Sequence, residues 1–162
     1  MSLSKSDGTE ENGMIAEPEV ARVGTCLQEM LVELADLAAQ TKQAHWNVTG
    51  LYFKPVHEQL DQLATDLRDR IDMVAERAVS IGVSPDARVA TVAQQSPLPQ
   101  FPAGQLLSTD AVAIIGQRLL EAADRASLRI ATVGESDAVT QDLLIQLTAM
   151  LDKHAWMFTV QH

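Results

Sequence analysis

Apolar residues recur at steps of three and four along most of this chain, and this spacing restricts its fold more than any other feature of the sequence. Side chains at such steps share one face of an α-helix. With proline and glycine as start and stop signals, the pattern predicts four long helices, over about 18–49, 55–82, 108–134 and 137–158.

The connection between the second and third helices, residues 84–107, contains four prolines, although 87–95 can form a short helix. A connection of this length lets the second and third helices run parallel. Ser108, Thr109 and Asp110 are suitable caps for the third helix. We therefore predict an all-α four-helix bundle with a crossover between its second and third helices and a short helix within that crossover.

Charge and composition limit the class of protein. Polar residues 1–16 are predicted to form a flexible acidic tail, and 17–162 a single domain. The N-terminus lacks a signal-peptide pattern, no apolar run reaches the roughly 18 residues of a membrane span, and the single Cys26 cannot form an internal disulfide. We therefore expect a cytoplasmic protein without a membrane partner.

Two pairs of possible metal ligands lie on the second predicted helix. His57 and Asp61 are four residues apart, and so are Asp72 and Glu76. At about 100° per residue, the last three fall near 40°, 60° and 100° from His57, within one sector of the helix. Because His57 and Glu76 are roughly 28 Å apart along the axis, one metal site cannot include both from the same chain.

Two antiparallel copies of this helix, related by a two-fold axis, would bring each His57/Asp61 end against the Asp72/Glu76 end of the other chain. His45, near the end of the first helix, could add another ligand. Mixed imidazole and carboxylate ligands suit Fe(II), and also Mn or Zn. The sequence contains no Glu-x-x-His motif, which disfavours a di-iron site inside a single bundle.

Simpler explanations remain open at this stage. Asp72 can pair with Arg68 and Glu76 with Arg77, as surface ion pairs of little energetic weight. A histidine on an apolar helix face is often a hydrogen-bonded core residue. Spacing alone leaves both a metal site and a purely structural helical assembly possible.

Three segments resemble the signature of the Dps mini-ferritins (DNA-binding proteins from starved cells): 42–50, with Lys-Gln-Ala-His-Trp-Asn, 57–61 and 72–77. The resemblance extends over residues 20–160 and includes 141–144 and 152–156 on the fourth helix. It implies a ferritin-like bundle, a homo-oligomeric shell of twelve subunits, and iron bound at a ferroxidase centre on each two-fold interface. Such proteins oxidise Fe(II) with hydrogen peroxide or O2, store the ferric mineral, and so limit oxidative stress.

The resemblance assigns the metal ligands residue by residue. It places His45, His57 and Asp61 of one subunit with Asp72 and Glu76 of its neighbour, and all five positions match the family pattern.

Trp46 and Lys42 are candidates for catalytic roles beside these ligands. Trp46 either packs at an interface or donates an electron to oxidising intermediates. Lys42, one turn earlier, either hydrogen-bonds a water or carboxylate of the site or is solvated.

Asp137 and Asp142, at the start of the fourth helix, correspond to acidic residues that line the three-fold pores of the family. Helix capping is an alternative role that suits Asp137. Gln146 stands where some relatives have a further pore aspartate.

The terminal sequence departs from the DNA-coating members of the family. Residues 1–22 contain Lys5 and Arg22 but five carboxylates, and the net charge of the chain is −10. Since phosphate binding needs lysine and arginine, we expect weak or absent DNA binding. A nucleoid-associated, DNA-protecting protein is the alternative function.

Overall fold

A computed structural model describes residues 16–161, and within them the chain forms a helical bundle. Its elements, in chain order, are α1 (Glu17–Asn47), β1 (Val48–Thr49), α2 (Phe53–Ser80), α3 (Val89–Gln95), β2 (Leu106–Leu107), α4 (Ser108–Val133), a 3-10 turn (Gly134–Ser136) and α5 (Ala138–Thr159). Apart from Ala16, the predicted N-terminal tail lies outside the described residues. No helix in the described part of the chain is both long and apolar enough to cross a bilayer.

The long helices pack as two antiparallel hairpins, α1 with α2 and α4 with α5. The two short strands pair in parallel, Val48 with Leu106 and Thr49 with Leu107. This pairing places the start of α4 at the end of the bundle where α1 finishes and α2 begins. Consequently α2 and α4 run in the same direction, and the predicted four-helix bundle with a crossover is confirmed.

Leucine dominates the core, and Phe158 is its largest fully buried side chain. The helices α4 and α5 approach closely at Gly116, where an added Cβ would lie 3.3 Å from the Cβ of Phe158. Phe101 is half-buried against this core, and the four other large aromatic side chains lie at the surface. Trp46, Tyr52, Phe53 and Trp156 are all exposed, so the single chain does not use them for its own packing.

Two details of the helix ends differ from the prediction. The first helix stops at Asn47 because Val48 turns to extended backbone and joins the short ladder. Ser108 does not cap α4: Leu107 is the N-cap residue, Ser108 is the first helical residue, and no side chain bonds to the free N–H groups there. The extended pairing of Leu106 and Leu107 takes the place of a capping side chain in directing the chain into α4.

Candidate metal centre

His45 and His57 form a reciprocal pair where the ends of α1 and α2 meet. The Nδ1 atom of each ring lies 2.9 Å from the backbone carbonyl oxygen of the other residue. The rings are stacked, with centroids 3.7 Å apart and planes inclined by 22°. Each imidazole is therefore fixed by the backbone of the neighbouring helix.

These contacts define which nitrogen carries the proton. A carbonyl oxygen can only accept a hydrogen bond, so the Nδ1 of each ring donates. In a neutral imidazole, Nε2 then keeps its lone pair. Both rings of the pair are thus prepared to coordinate a metal ion through Nε2, with backbone carbonyls as the outer hydrogen-bond partners that orient metal-binding histidines.

Asp61 is the third predicted ligand in this group. Its Oδ1 lies 3.9 Å from Nε2 of His45 and accepts a hydrogen bond from Nζ of Lys42 at 2.9 Å. This bond from Lys42 lowers the pKa of Asp61 below its usual value, so the exposed carboxylate stays charged in acidic solution. Of the two alternatives for Lys42, the structure thus shows a contact with a site carboxylate.

Asp72 and Glu76 lie on the exposed surface of the C-terminal half of α2. The surface ion pairs with Arg68 and Arg77 are not formed within the described part of the chain; Arg77 instead binds Asp137 through Nη2, at 2.8 Å to both carboxylate oxygens. Both carboxylates are therefore available to a ligand or another chain.

The five predicted ligands consequently fall into two groups at opposite ends of α2. The structure brings His45, His57 and Asp61 together and leaves Asp72 and Glu76 apart from them. Among residues 16–161, no three His, Cys, Asp or Glu side chains are already arranged to hold a metal ion. Each group by itself is an incomplete coordination sphere.

Trp46 projects beside the first group. Its side chain is 68% exposed, and Nζ of Lys42 lies 5.8 Å from the centroid of its ring. Leu51, Tyr52 and Phe53 are exposed on the turn that follows. The surface around His45 and His57 is therefore apolar and aromatic, which is typical of protein interfaces.

The two candidate pore residues have different surroundings. Asp137 is buried and caps α5, accepting hydrogen bonds from the backbone of Val139 and Thr140 as well as from Arg77. Burial would raise the pKa of Asp137, but the hydrogen bonds from Arg77 and Thr140 outweigh it and keep that pKa below its usual value. Asp142 is exposed and accepts a hydrogen bond from Gln146 at 2.7 Å.

Sequence reasoning missed two contacts that hold α2 against α5. One is the ion pair between Arg77 and Asp137. The other is the hydrogen bond between Nε2 of the buried His154 and Oδ2 of Asp66, at 2.7 Å. Neither pair has a local spacing that could reveal it, because its members are 60 and 88 residues apart.

Comparisons with known proteins bear on the fold and the family of the chain. A family model described as a ferritin-like domain matches residues 25–162. DNA protection during starvation protein 2 of Deinococcus radiodurans is 35% identical over 80% of this chain and 54% of its own length, so the chain spans little more than half of that relative. DNA protection during starvation protein of Agrobacterium fabrum is 34% identical over 80% of this chain and 81% of its own length. The structure of Dps from Microbacterium arborescens in the high iron form has a TM-score of 0.85 and 32% identity, covering 91% of this chain and 97% of that one.

Proposed function

Since this chain belongs to the Dps family of ferritin-like proteins, we propose that it oxidises Fe(II) at centres shared between two subunits and stores the ferric product inside a shell of twelve copies. The observation that carries this proposal is the division of the ligands between the two ends of α2. The oriented imidazoles of His57, and of His45 on α1, lie at one end, and carboxylates without partners among residues 16–161 lie at the other. An antiparallel two-fold contact between two α2 helices joins one end to the other and creates two equal centres.

In such a centre each residue has a defined task. His45 and His57 present Nε2 lone pairs, while Asp61 and the neighbouring subunit's Asp72 and Glu76 supply negative charge. Two neutral imidazoles and three carboxylates form a hard, mixed ligand set that suits Fe(II). The electron balance with hydrogen peroxide is two Fe(II), one peroxide and two protons giving two Fe(III) and two waters, and O2 is the alternative oxidant.

Lys42 and Trp46 act beside the ligands in this proposal. The ammonium of Lys42 neutralises Asp61 until the iron substrate arrives and must then give up the carboxylate. Trp46 adjoins His45 in the chain, and in this proposal its indole donates an electron to an oxidising species. A Trp46→Phe variant should suffer more oxidative damage per peroxide consumed; unchanged damage would remove this role.

Iron entry is assigned to the acidic residues at the start of α5. Asp142 presents an exposed carboxylate for a three-fold pore, whereas Asp137 also anchors the helix through Arg77. Asp142→Asn should slow iron uptake without preventing assembly. Equal uptake rates in the variant and the parent would reject a pore role for Asp142.

Direct binding to DNA is expected to be weak or absent, although curated relatives carry names that refer to DNA protection. The reason is the net charge of −10 per chain, which repels phosphates unless divalent cations bridge them. Retardation of plasmid DNA by the metal-free protein at ordinary salt would contradict this expectation.

Subunit mixing tests the shared centre. His45→Ala removes an imidazole, and Asp72→Asn with Glu76→Gln removes the carboxylates, so each homo-oligomer should fail to oxidise Fe(II). When the two are unfolded together and reassembled, half of the two-fold pairs are mixed and each mixed pair regains one of its two centres, which gives about a quarter of the parent activity. Recovery of this size supports the proposal, and no recovery in a reassembled shell would overturn it.

A further inference from the structure

A groove of about 510 Å³ runs between α2 and α5, and none of the ligands described above lines it. Its lining includes two thioethers, Met73 and Met150, and two cations, Arg70 and Lys153. Of the two thioethers, Met73 is the more open to reagents in solution, with 39% of its surface exposed, whereas Met150 is half-buried. By contrast, Met30 is completely buried in the core.

Met73 has a charged hydrogen-bond donor. Nη1 of Arg70, one helical turn earlier, lies 3.4 Å from the Sδ atom of Met73. A thioether sulfur has two lone pairs, and this contact uses one of them. The second lone pair and the remaining N–H groups of the guanidinium are thus available on the same side of α2.

Met73 also lies close to the carboxylates of the proposed centre. On the helix it is about 100° from Asp72 and about 60° from Glu76, turned toward α5. When Asp72 and Glu76 face another subunit, Met73 remains at the edge of that contact and opens into the groove. An oxidant that leaves the centre therefore meets this sulfur within about one turn of the helix.

We propose that Met73 and Arg70 form an oxidant-trapping site in which the thioether reduces hydrogen peroxide. A sulfur lone pair attacks one peroxide oxygen, the O–O bond breaks as the S–O bond forms, and the other oxygen leaves as hydroxide. The hydroxyl on sulfur then gives its proton to that hydroxide, so the products are methionine sulfoxide and water. The sulfur loses two electrons and the peroxide gains two.

Arg70 supports this step because negative charge develops on the departing oxygen. A guanidinium N–H that already contacts the sulfur is within reach of that oxygen and stabilises the charge. The site rests on the proposed function only because that function draws hydrogen peroxide, as its oxidant, to the neighbouring centre; the sulfur chemistry itself needs no iron.

The test treats the assembled, metal-free protein with hydrogen peroxide and follows each methionine by peptide mass spectrometry. Met73 should be oxidised faster than Met30, Met150 and Met157. Arg70→Gln should slow the oxidation of Met73 by about three- to tenfold, as expected when one charge-assisted hydrogen bond to a transition state is lost. Arg68→Gln, an equal change of charge at an exposed arginine on the same helix, should leave the rate unchanged.

Oxidation of Met73 no faster than that of the half-buried Met157, or an equal rate in Arg70→Gln and the parent, would overturn this inference. A second measurement adds Fe(II) together with peroxide and follows iron oxidation separately. If the protein does not oxidise iron but Met73 is still oxidised to the sulfoxide, the proposed function is wrong and this inference stands. If iron oxidation proceeds and Met73 stays reduced, the inference falls and the proposed function stands.

Discussion

The two ends of α2 carry the same kind of ligand pair but are built differently. At the N-terminal end His57 is held by the backbone of α1, and Asp61 is held by Lys42. At the C-terminal end Asp72 and Glu76 have no partner among the described side chains, although Arg77 beside Glu76 is anchored to Asp137. The difference indicates that the chain orients its imidazoles by itself, whereas in the proposed centre the metal ion and a second subunit would orient these carboxylates.

The largest effect is expected when the proposed ligands at either end of α2 are removed. His57→Ala, or Asp72→Asn with Glu76→Gln, should each lower the initial rate of Fe(II) oxidation by peroxide by about 100-fold or more, because each removes ligands rather than their supports. Stopped-flow absorbance of the ferric product measures the rate. Glu58→Gln changes an exposed neighbour on the same helix and serves as the control. If either ligand variant kept its activity, the residues changed in it would not be ligands of the centre.

The next largest effect concerns the ion pair between Arg77 and Asp137, at the C-terminal end of α2. Asp137→Asn keeps a capping side chain but leaves Arg77 without its carboxylate, which should destabilise the protein by about 2–3 kcal/mol at pH 7. Because the pKa of Asp137 is lowered in the folded state, its contribution is complete above the ordinary aspartate pKa of about 4 and is lost as the pH falls through the lowered value.

The difference in stability between parent and Asp137→Asn should therefore shrink below about pH 4. Thermal unfolding at a fixed protein concentration gives the comparison, with the exposed Asp142→Asn as control. A difference that stays constant down to pH 2 would show that the charge of Asp137 is not the source of its effect.

A smaller effect is a difference in protein stability between substitutions at the two ends of α2. His57→Ala loses a hydrogen bond to the backbone of α1 and a stacked ring, at a cost of about 1–2 kcal/mol. Asp72→Asn should change stability by less than about 0.5 kcal/mol because its carboxylate has no partner in the described chain. Denaturant unfolding of the metal-free proteins measures the free energy of unfolding. An equal loss in the two variants would contradict the claim that only the N-terminal end of α2 is held by contacts within the chain.

The smallest effect concerns Lys42. Lys42→Gln removes the hydrogen bond and the charge that lower the pKa of Asp61, so this pKa should move up toward the ordinary aspartate value. NMR titration of the Asp61 carboxyl in the metal-free protein measures the shift. Gln43→Ala on the same helix is a control, and an unchanged titration would mean that Lys42 does not control this carboxylate.

The sequence predicted the helices better than the contacts between them. Periodic leucines located all four long helices to within about two residues, since periodicity depends only on local spacing. Periodicity did not locate the strand pairing of Val48 with Leu106. This pairing ends α1 early, and it takes the place of the predicted cap by Ser108 at the start of α4. Two-residue strands have too few positions to show an alternating pattern.

The same limit applies to the candidate centre. Spacing on α2 grouped His57 with Asp61 and Asp72 with Glu76, because one helix determines those relations. Other contacts depend on the register between α1 and α2. These are the hydrogen bonds between His45 and His57 and the hydrogen bond from Lys42 to Asp61. Local spacing predicts Glu76 as a partner of Arg77, but tertiary packing directs Arg77 to Asp137, the N-cap residue of α5.

The bracing of the imidazoles has a consequence for biosynthesis. Every atom that fixes these rings lies between residues 42 and 61, within a single helical hairpin whose contacts are close in sequence. Pairings of low sequence separation form quickly and early. We therefore expect this half of the centre to be in place on the ribosome before α5 has emerged, so that newly made subunits meet with their histidines already set.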